Sequence, residues 1–123
     1  MIHLDANALI GMGIEGSARW RQVSAWLRAG ELLGASTVAW SEFLCGPLLP
    51  SEREWARQVT GRPVPLIEAD AKLAAELYNL GGRRRGSLSD CQIAAIAIRS
   101  KAALATADRA GFVRFAAAGL RLA

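Results

Sequence analysis

The sequence predicts an α/β fold: a short parallel sheet of four to five strands flanked by helices. Two observations lead there. Short apolar runs alternate with stretches of helical periodicity along the whole chain, the pattern of strands joined by crossover helices. At 123 residues and 52% hydrophobic content, the chain can bury roughly two-thirds of its unfolded surface. It therefore needs neither a disulfide framework nor structural zinc, and it is expected to form one domain over residues 1–123.

The elements follow in order. Ile2-His3-Leu4 is a strand ending at Asp5, with a brief helix through Ile10. From Ser17 to Ala29, Trp20, Val23 and Leu27 recur at helical spacing. Leu32 to Ala35 is a second strand, after which Ser36 or Thr37 caps a helix running to about Cys45, where Gly46-Pro47 stops it. Ser51 and Glu54 stand at capping-box spacing and open another helix. Pro63 to Ile67 reads as a strand confined to an edge by its two prolines. Leu73, Leu77 and Leu80 line a helix from about Ala69 to Gly81-Gly82. Ser87 to Ser100 is apolar almost all round, hence a buried helix. Ala102 to Thr106 is a strand, Arg109 to Phe115 a short helix, and Leu120 to Leu122 a last strand.

Composition narrows the function. The net charge is +4, and 13 of the 15 basic residues are arginine, whose planar fork suits phosphate; a polyanionic partner is expected. Cys45 and Cys91 lie inside apolar runs without metal or disulfide spacing and read as small buried hydrophobes of a reducing compartment. The N-terminus lacks a signal peptide's basic start and apolar core, and no run reaches the roughly 18 apolar residues of a membrane span. A cytoplasmic protein without membrane attachment is expected.

Four acids carry the chemistry. In a parallel sheet with right-handed crossovers, all strand C-terminal ends lie on one edge, where ligands bind. Asp5 ends the first strand, and Asp108 lies two residues past Thr106 at the end of a later one. Asp90 opens the helix feeding that strand, so it starts at the same edge. Glu42 sits in the helix leaving the second strand, with Val38, Ala39 and Cys45 as helical neighbours. Each has a structural reading: Asp5 and Asp108 as helix caps, Asp90 in a capping box with Ser87, Glu42 as an exposed helix residue. Together they demand more. At about 4 Å and an effective dielectric of about 20, each like-charged pair costs on the order of 4 kcal/mol, so protons or cations must compensate. An all-oxygen set selects a hard ion, magnesium or manganese, and such ions serve phosphodiester hydrolysis.

Ile2-His3-Leu4-Asp5-Ala6-Asn7, Ser41-Glu42-Phe43, Asp90-Cys91-Gln92-Ile93-Ala94-Ala95-Ile96-Ala97 and Thr106-Ala107-Asp108 resemble, in order and spacing, the four motifs of PIN-domain ribonucleases. The length is closest to the VapC-type toxins of toxin–antitoxin pairs. The resemblance spans the chain, and its most specific part is the run from Asp90 to Ala97. It implies a three-layer PIN fold, magnesium- or manganese-dependent endoribonuclease activity on RNA, a homodimer, and a cognate antitoxin whose basic tail covers the acidic site. Asp5, Glu42, Asp90 and Asp108 fall on the family's acidic positions, with Asp5, Asp90 and Asp108 holding metal and Glu42 completing the shell or orienting water. Asn7 and Thr106 fall on its polar supporting positions. One departure stands out: many members carry an aspartate just before the phenylalanine of the last motif, and here Gly111 precedes Phe112. That implies one tightly held metal, with any second ion recruited by substrate.

Other residues have two readings each. Arg83-Arg84-Arg85, between Gly82 and Gly86, is either a solvated loop or an RNA-phosphate clamp beside the metal. His3, the only histidine, shares a strand face with Asp5 but lies deeper, which favours a buried structural role. Trp20, Trp26, Trp40 and Trp55 stack bases or, as their apolar helical settings favour, fill the core or a dimer face. One strand histidine leaves no Ser-His-Asp or Cys-His catalysis. The competing function is an inactive PIN-like module that grips RNA or a protein.

Overall fold

The computed structural model describes residues 1–81 and 88–123. Its four strands β1 (Ile2–Leu4), β2 (Leu33–Gly34), β3 (Ala103–Ala105) and β4 (Arg121–Leu122) form one sheet in the order β2-β1-β3-β4. All three pairings are parallel. Flanking the sheet are α1 (Ala6–Met12), α2 (Ala18–Arg28), α3 (Thr37–Leu44), α4 (Pro50–Thr60), α5 (Glu68–Leu80), α6 (Leu88–Arg99) and α7 (Arg109–Phe112), with a 3-10 helix over Val113–Ala118. The α/β architecture read from the alternating pattern is the observed one.

Local chemistry sets the boundaries. Ser17 Oγ accepts from the Trp20 N–H and Ser36 Oγ from the Ala39 N–H, both at 3.0 Å, so each serine starts its helix. In α6, Cys91, Ile93, Ala94, Ala95, Ile96 and Ala97 are all buried. Its alanines let it lie close to its neighbours, and burial of Ile93 and Ile96 stabilises by about 1.5–3 kcal/mol each. His3 is also buried, with neither ring nitrogen hydrogen-bonded. Opposite it in register is Gly34, where a Cβ would lie 3.1 Å from the imidazole ring; the glycine makes room for the histidine. Burial, then the N-terminal amino group and Arg99, hold its pKa down to about 4.

Five expectations need correction. Helix α4 begins at Pro50 without a side-chain cap, because proline's fixed φ and missing N–H suit the first helical position better than Ser51 suits the cap. Residues 63–67 make only an isolated parallel bridge, Ser36 to Val64, since Pro63 and Pro65 have no N–H to donate. The helix after Asp108 loosens at Phe112 into 3-10 geometry and stops at Gly119, whose φ is 107°. Cys45 is exposed; only Cys91 behaves as a buried hydrophobe. Of the two structural settings expected for the tryptophans, core or dimer face, the first is corrected: none enters the fully buried core. Trp26 and Trp40 pack on it from outside, Trp40 against Phe43 at 5.3 Å. No described helix is long and apolar enough to cross a membrane.

Candidate active site

Asp5 and Thr106 are the residues that follow β1 and β3, and the pairing of Leu4 with Ala105 sets them side by side. The Thr106 hydroxyl, buried, donates to Asp5 Oδ2 at 2.8 Å and accepts the Asp108 N–H at 3.1 Å. One hydroxyl thus ties the first motif to the last. Asp5 Oδ1 accepts from the Ala6 N–H at 2.8 Å, capping α1. Asn7 Oδ1 accepts from the Ala107 N–H at 2.9 Å, stapling the turn after β3 onto α1. These bonds fix the carboxylate of Asp5, a residue only 5% exposed.

The other acids arrive from three directions. Asp90, half-buried, stands in the first turn of α6. Its carboxyl is pushed up by burial, then by the charges of Asp5 and Asp108, with Arg114 pulling the other way. Glu42 on α3 is solvent-exposed as a residue, so the apolar setting expected for it is only partial. Its carboxyl is nonetheless raised, by burial first and then by Asp5 and Asp90. Asp108 caps α7, its Oδ1 accepting the Gly111 N–H at 3.1 Å. A Cβ at position 111 would collide with that carboxylate, so the glycine that departs from the PIN pattern is what lets Asp108 fold back over its own helix.

The edge therefore gathers charge without enclosing it. Each acid lies within electrostatic reach of another, yet among the described residues no three His, Cys, Asp or Glu side chains stand close enough to cage an ion. Nor, among those residues, does any arginine or lysine close an ion pair with the four acids. An all-oxygen donor set, in which burial and then acidic neighbours raise the Glu42 and Asp90 carboxyls, fits a hard divalent cation that draws the acids together. Arg83, Arg84 and Arg85, and the Ser87 of the Asp90 capping box, lie outside the described residues.

Sequence reading missed the arginines that frame this edge. Arg114 lies over the Phe115 ring at 4.5 Å, with its Nε buried and unpartnered, and its charge reaches Asp90. Arg19 on α2 senses Asp5. No spacing links positions 19 and 114 to the acids; only the fold does.

Solved structures share this fold. The chain is 22% identical to a chain of FitAcB from Neisseria gonorrhoeae, with a TM-score of 0.71, covering 99% of this chain and 96% of that one. VapBC2 from Rickettsia felis, bound to a DNA fragment from their promoter, matches at 18% identity and a TM-score of 0.75, covering 100% and 98%. FitAB bound to the IR36 DNA fragment matches at 22% and 0.70, covering 100% and 94%. No curated protein matches the chain significantly. The PIN domain family model matches residues 2–118. Members of that family are generally nucleases that use divalent metals, and with nearly the whole sequence matched, the chain belongs to the PIN domain family.

Proposed function

We propose that the chain is a magnesium- or manganese-dependent endoribonuclease and the toxin of a toxin–antitoxin pair. The observation that carries this reading is a set of mutually repelling carboxyls, Asp5, Glu42, Asp90 and Asp108, at the C-terminal edge of a parallel sheet. Asp5, Asp90 and Asp108 would hold the ion, which when bound supplies Lewis acidity, an activated water and a stabilised leaving oxygen. Thr106 and Asn7 keep Asp5 and the 106–108 turn in register. Glu42, the most exposed acid with a raised carboxyl, is placed to complete the shell or to orient the attacking water. The likeness to FitAcB and VapBC2 supports an antitoxin partner, and a basic segment of that partner would neutralise the acidic edge. A homodimer of single-domain chains acting in the cytoplasm completes the proposal.

The test is cleavage of varied RNAs by purified protein in magnesium or manganese, with Asp5→Asn and Asp90→Asn beside the wild type. Loss of cleavage on the order of 10³-fold or more is expected for each, since both would be metal ligands; retained cleavage by either refutes the site. A second reading, a non-catalytic module gripping RNA or protein, is favoured by one observation: the Asp108 carboxylate is committed to the Gly111 N–H. Metal binding without cleavage of any RNA would select it.

A further inference from the structure

Helices α1 and α2 meet beside the acids, and the surface between them forms an open cleft. A Cβ at Gly11 would come within 3.1 Å of Arg19 Cβ and 3.3 Å of its Cγ. The bare glycine therefore lets Arg19 lie down against α1. Its guanidinium is steadied one turn on, with Nη1 donating to Gln22 Oε1 at 2.6 Å. The cleft measures about 510 Å³ and is lined by Asn7, Gly11, Ala18, Arg19, Gln22 and Ala107. Two of these, Asn7 and Ala107, are the pair whose hydrogen bond fastens the turn carrying Asp108 onto α1. Cleft and acidic edge thus share a wall.

The cleft wall carries one cation, Arg19, with Arg109 within electrostatic reach of it. Burial, and then the nearby charge of Arg109, push the Arg19 guanidinium below its ordinary value, with Asp5 pulling the other way. Among the described residues Arg19 closes no ion pair with a carboxylate. Arg109 donates to the main-chain oxygen of Ala123 at 2.5 Å. Two cations that crowd one another beside an acidic edge are the inverse of the acids themselves: a positive site awaiting a negative group. A polyanion crossing the edge needs such a site to offset repulsion from the carboxylates, and arginine's fork binds phosphate oxygens in pairs.

We propose that the α1–α2 cleft, with Arg19 on its wall and Arg109 nearby, is a subsite for a backbone phosphate of single-stranded RNA, adjacent to the phosphate cut at the acids. The proposal rests on the ribonuclease reading above.

The experiment measures binding of a fluorescent single-stranded RNA to the full chain in calcium across a salt series, for wild type, Arg19→Gln, Arg19→Lys and Arg109→Gln. Each glutamine variant is expected to weaken binding about tenfold and to flatten the salt slope by roughly 0.7, the value of one lost single-strand phosphate contact. Arg19→Lys should keep the slope while losing part of the affinity, because the charge survives without the fork. RNA shortened from the end that reaches the cleft should no longer distinguish wild type from Arg19→Gln, while RNA shortened from the other end still does. Unchanged affinity and slope in both glutamine variants, with wild-type binding intact, overturns the subsite alone. An equal Arg19 effect on both series of shortened RNAs also overturns it. Should the wild type neither bind nor cleave any RNA, the ribonuclease reading falls and takes the subsite with it. Arg109 is exposed, so its variant decides the matter even where Arg19→Gln fails to fold.

Discussion

Asp70 and Asp90 stand in the first turns of successive helices, α5 and α6, which pack against each other, yet the chain treats them oppositely. Asp70 is 2% exposed and fully answered: Arg99 Nε donates to both its oxygens at 2.8 and 3.0 Å, and the Ile67 N–H donates at 3.0 Å. Burial alone would push that carboxyl up; the Arg99 and Ile67 hydrogen bonds and the Arg99 charge outweigh it and leave it below the ordinary value. Asp90 is less buried as a residue, yet its carboxyl is raised, by burial first and then by the charges of Asp5 and Asp108, which the opposing charge of Arg114 does not outweigh. Arginine is abundant in this sequence, yet among the described residues none closes an ion pair with Asp90. The contrast separates an acid that holds two helices together from acids left open to an external cation.

The contrast breaks most forcefully at Arg99. Arg99→Ala strands the buried Asp70 charge and should cost about 3 kcal/mol, the low end for a buried pair because Arg99 itself is about one-third exposed. Urea unfolding measures it, and the double variant Asp70→Leu with Arg99→Met should recover most of the loss. Asp90→Asn should do the reverse in metal-free buffer, raising the unfolding midpoint by removing a repelled charge. A fall of similar size in both single variants would erase the distinction.

Nearly as large is the acid sensitivity of His3. Its pKa is about 4 in the fold against 6.5 for the free side chain, so folding favours the neutral ring. Stability from this residue is complete above pH 6.5 and drains away as pH falls towards 4, by about 3 kcal/mol in all. His3→Leu should flatten that slope in a pH series of urea midpoints. As pH falls, Asp90 and Glu42, whose carboxyls are raised, protonate sooner than free carboxyls and shed their repulsion, so the acidic edge gains stability while the sheet interior loses it.

Metal should act on only one of the two regions. At about 50 times its Kd, a bound ion adds roughly 2 kcal/mol, a rise in Tm on the order of 5–10 °C for a chain of this size. Asp90→Asn should lose that rise, and Arg99→Ala should keep it from its lower baseline. A wild-type Tm indifferent to millimolar magnesium and manganese would remove the site.

How far the sequence foretold each region follows from the range of the interactions. The acids were legible because strand and helix ends are set by neighbours in sequence: Asp5 by the end of an apolar run, Asp90 by the start of one. Asp70–Arg99 was not legible, since its partners are 29 residues apart and meet only through the packing of α5 on α6. Arg19 escaped for the same reason, its place beside Asp5 depending on a bare Gly11 across a helix interface. The prolines at 63 and 65 carried a signal, but an edge strand and a single bridge look alike until the partner strand is seen. Gly111 was visible as a departure, whereas its steric consequence for Asp108 depends on how the turn folds.

The smallest effect sharpens the contrast most finely, because it tests positioning within the acidic edge and leaves every charge in place. Thr106→Val keeps the shape of a buried side chain but removes the hydroxyl that donates to Asp5 Oδ2 and accepts from the Asp108 N–H. The Asp108 amide lies near solvent, so the stability loss should be only about 1 kcal/mol. Metal affinity should fall more, by about 10- to 100-fold, the range seen when a group that orients a ligand is removed. Calorimetric titration of metal beside urea unfolding separates the two effects. If affinity falls no more than the lost stability accounts for, Thr106 is a packing residue and Asp5 orients itself. If affinity collapses while the fold is nearly untouched, the hydroxyl is what aims the first acid at the ion, and Asp70, which needs no such aiming, marks the difference.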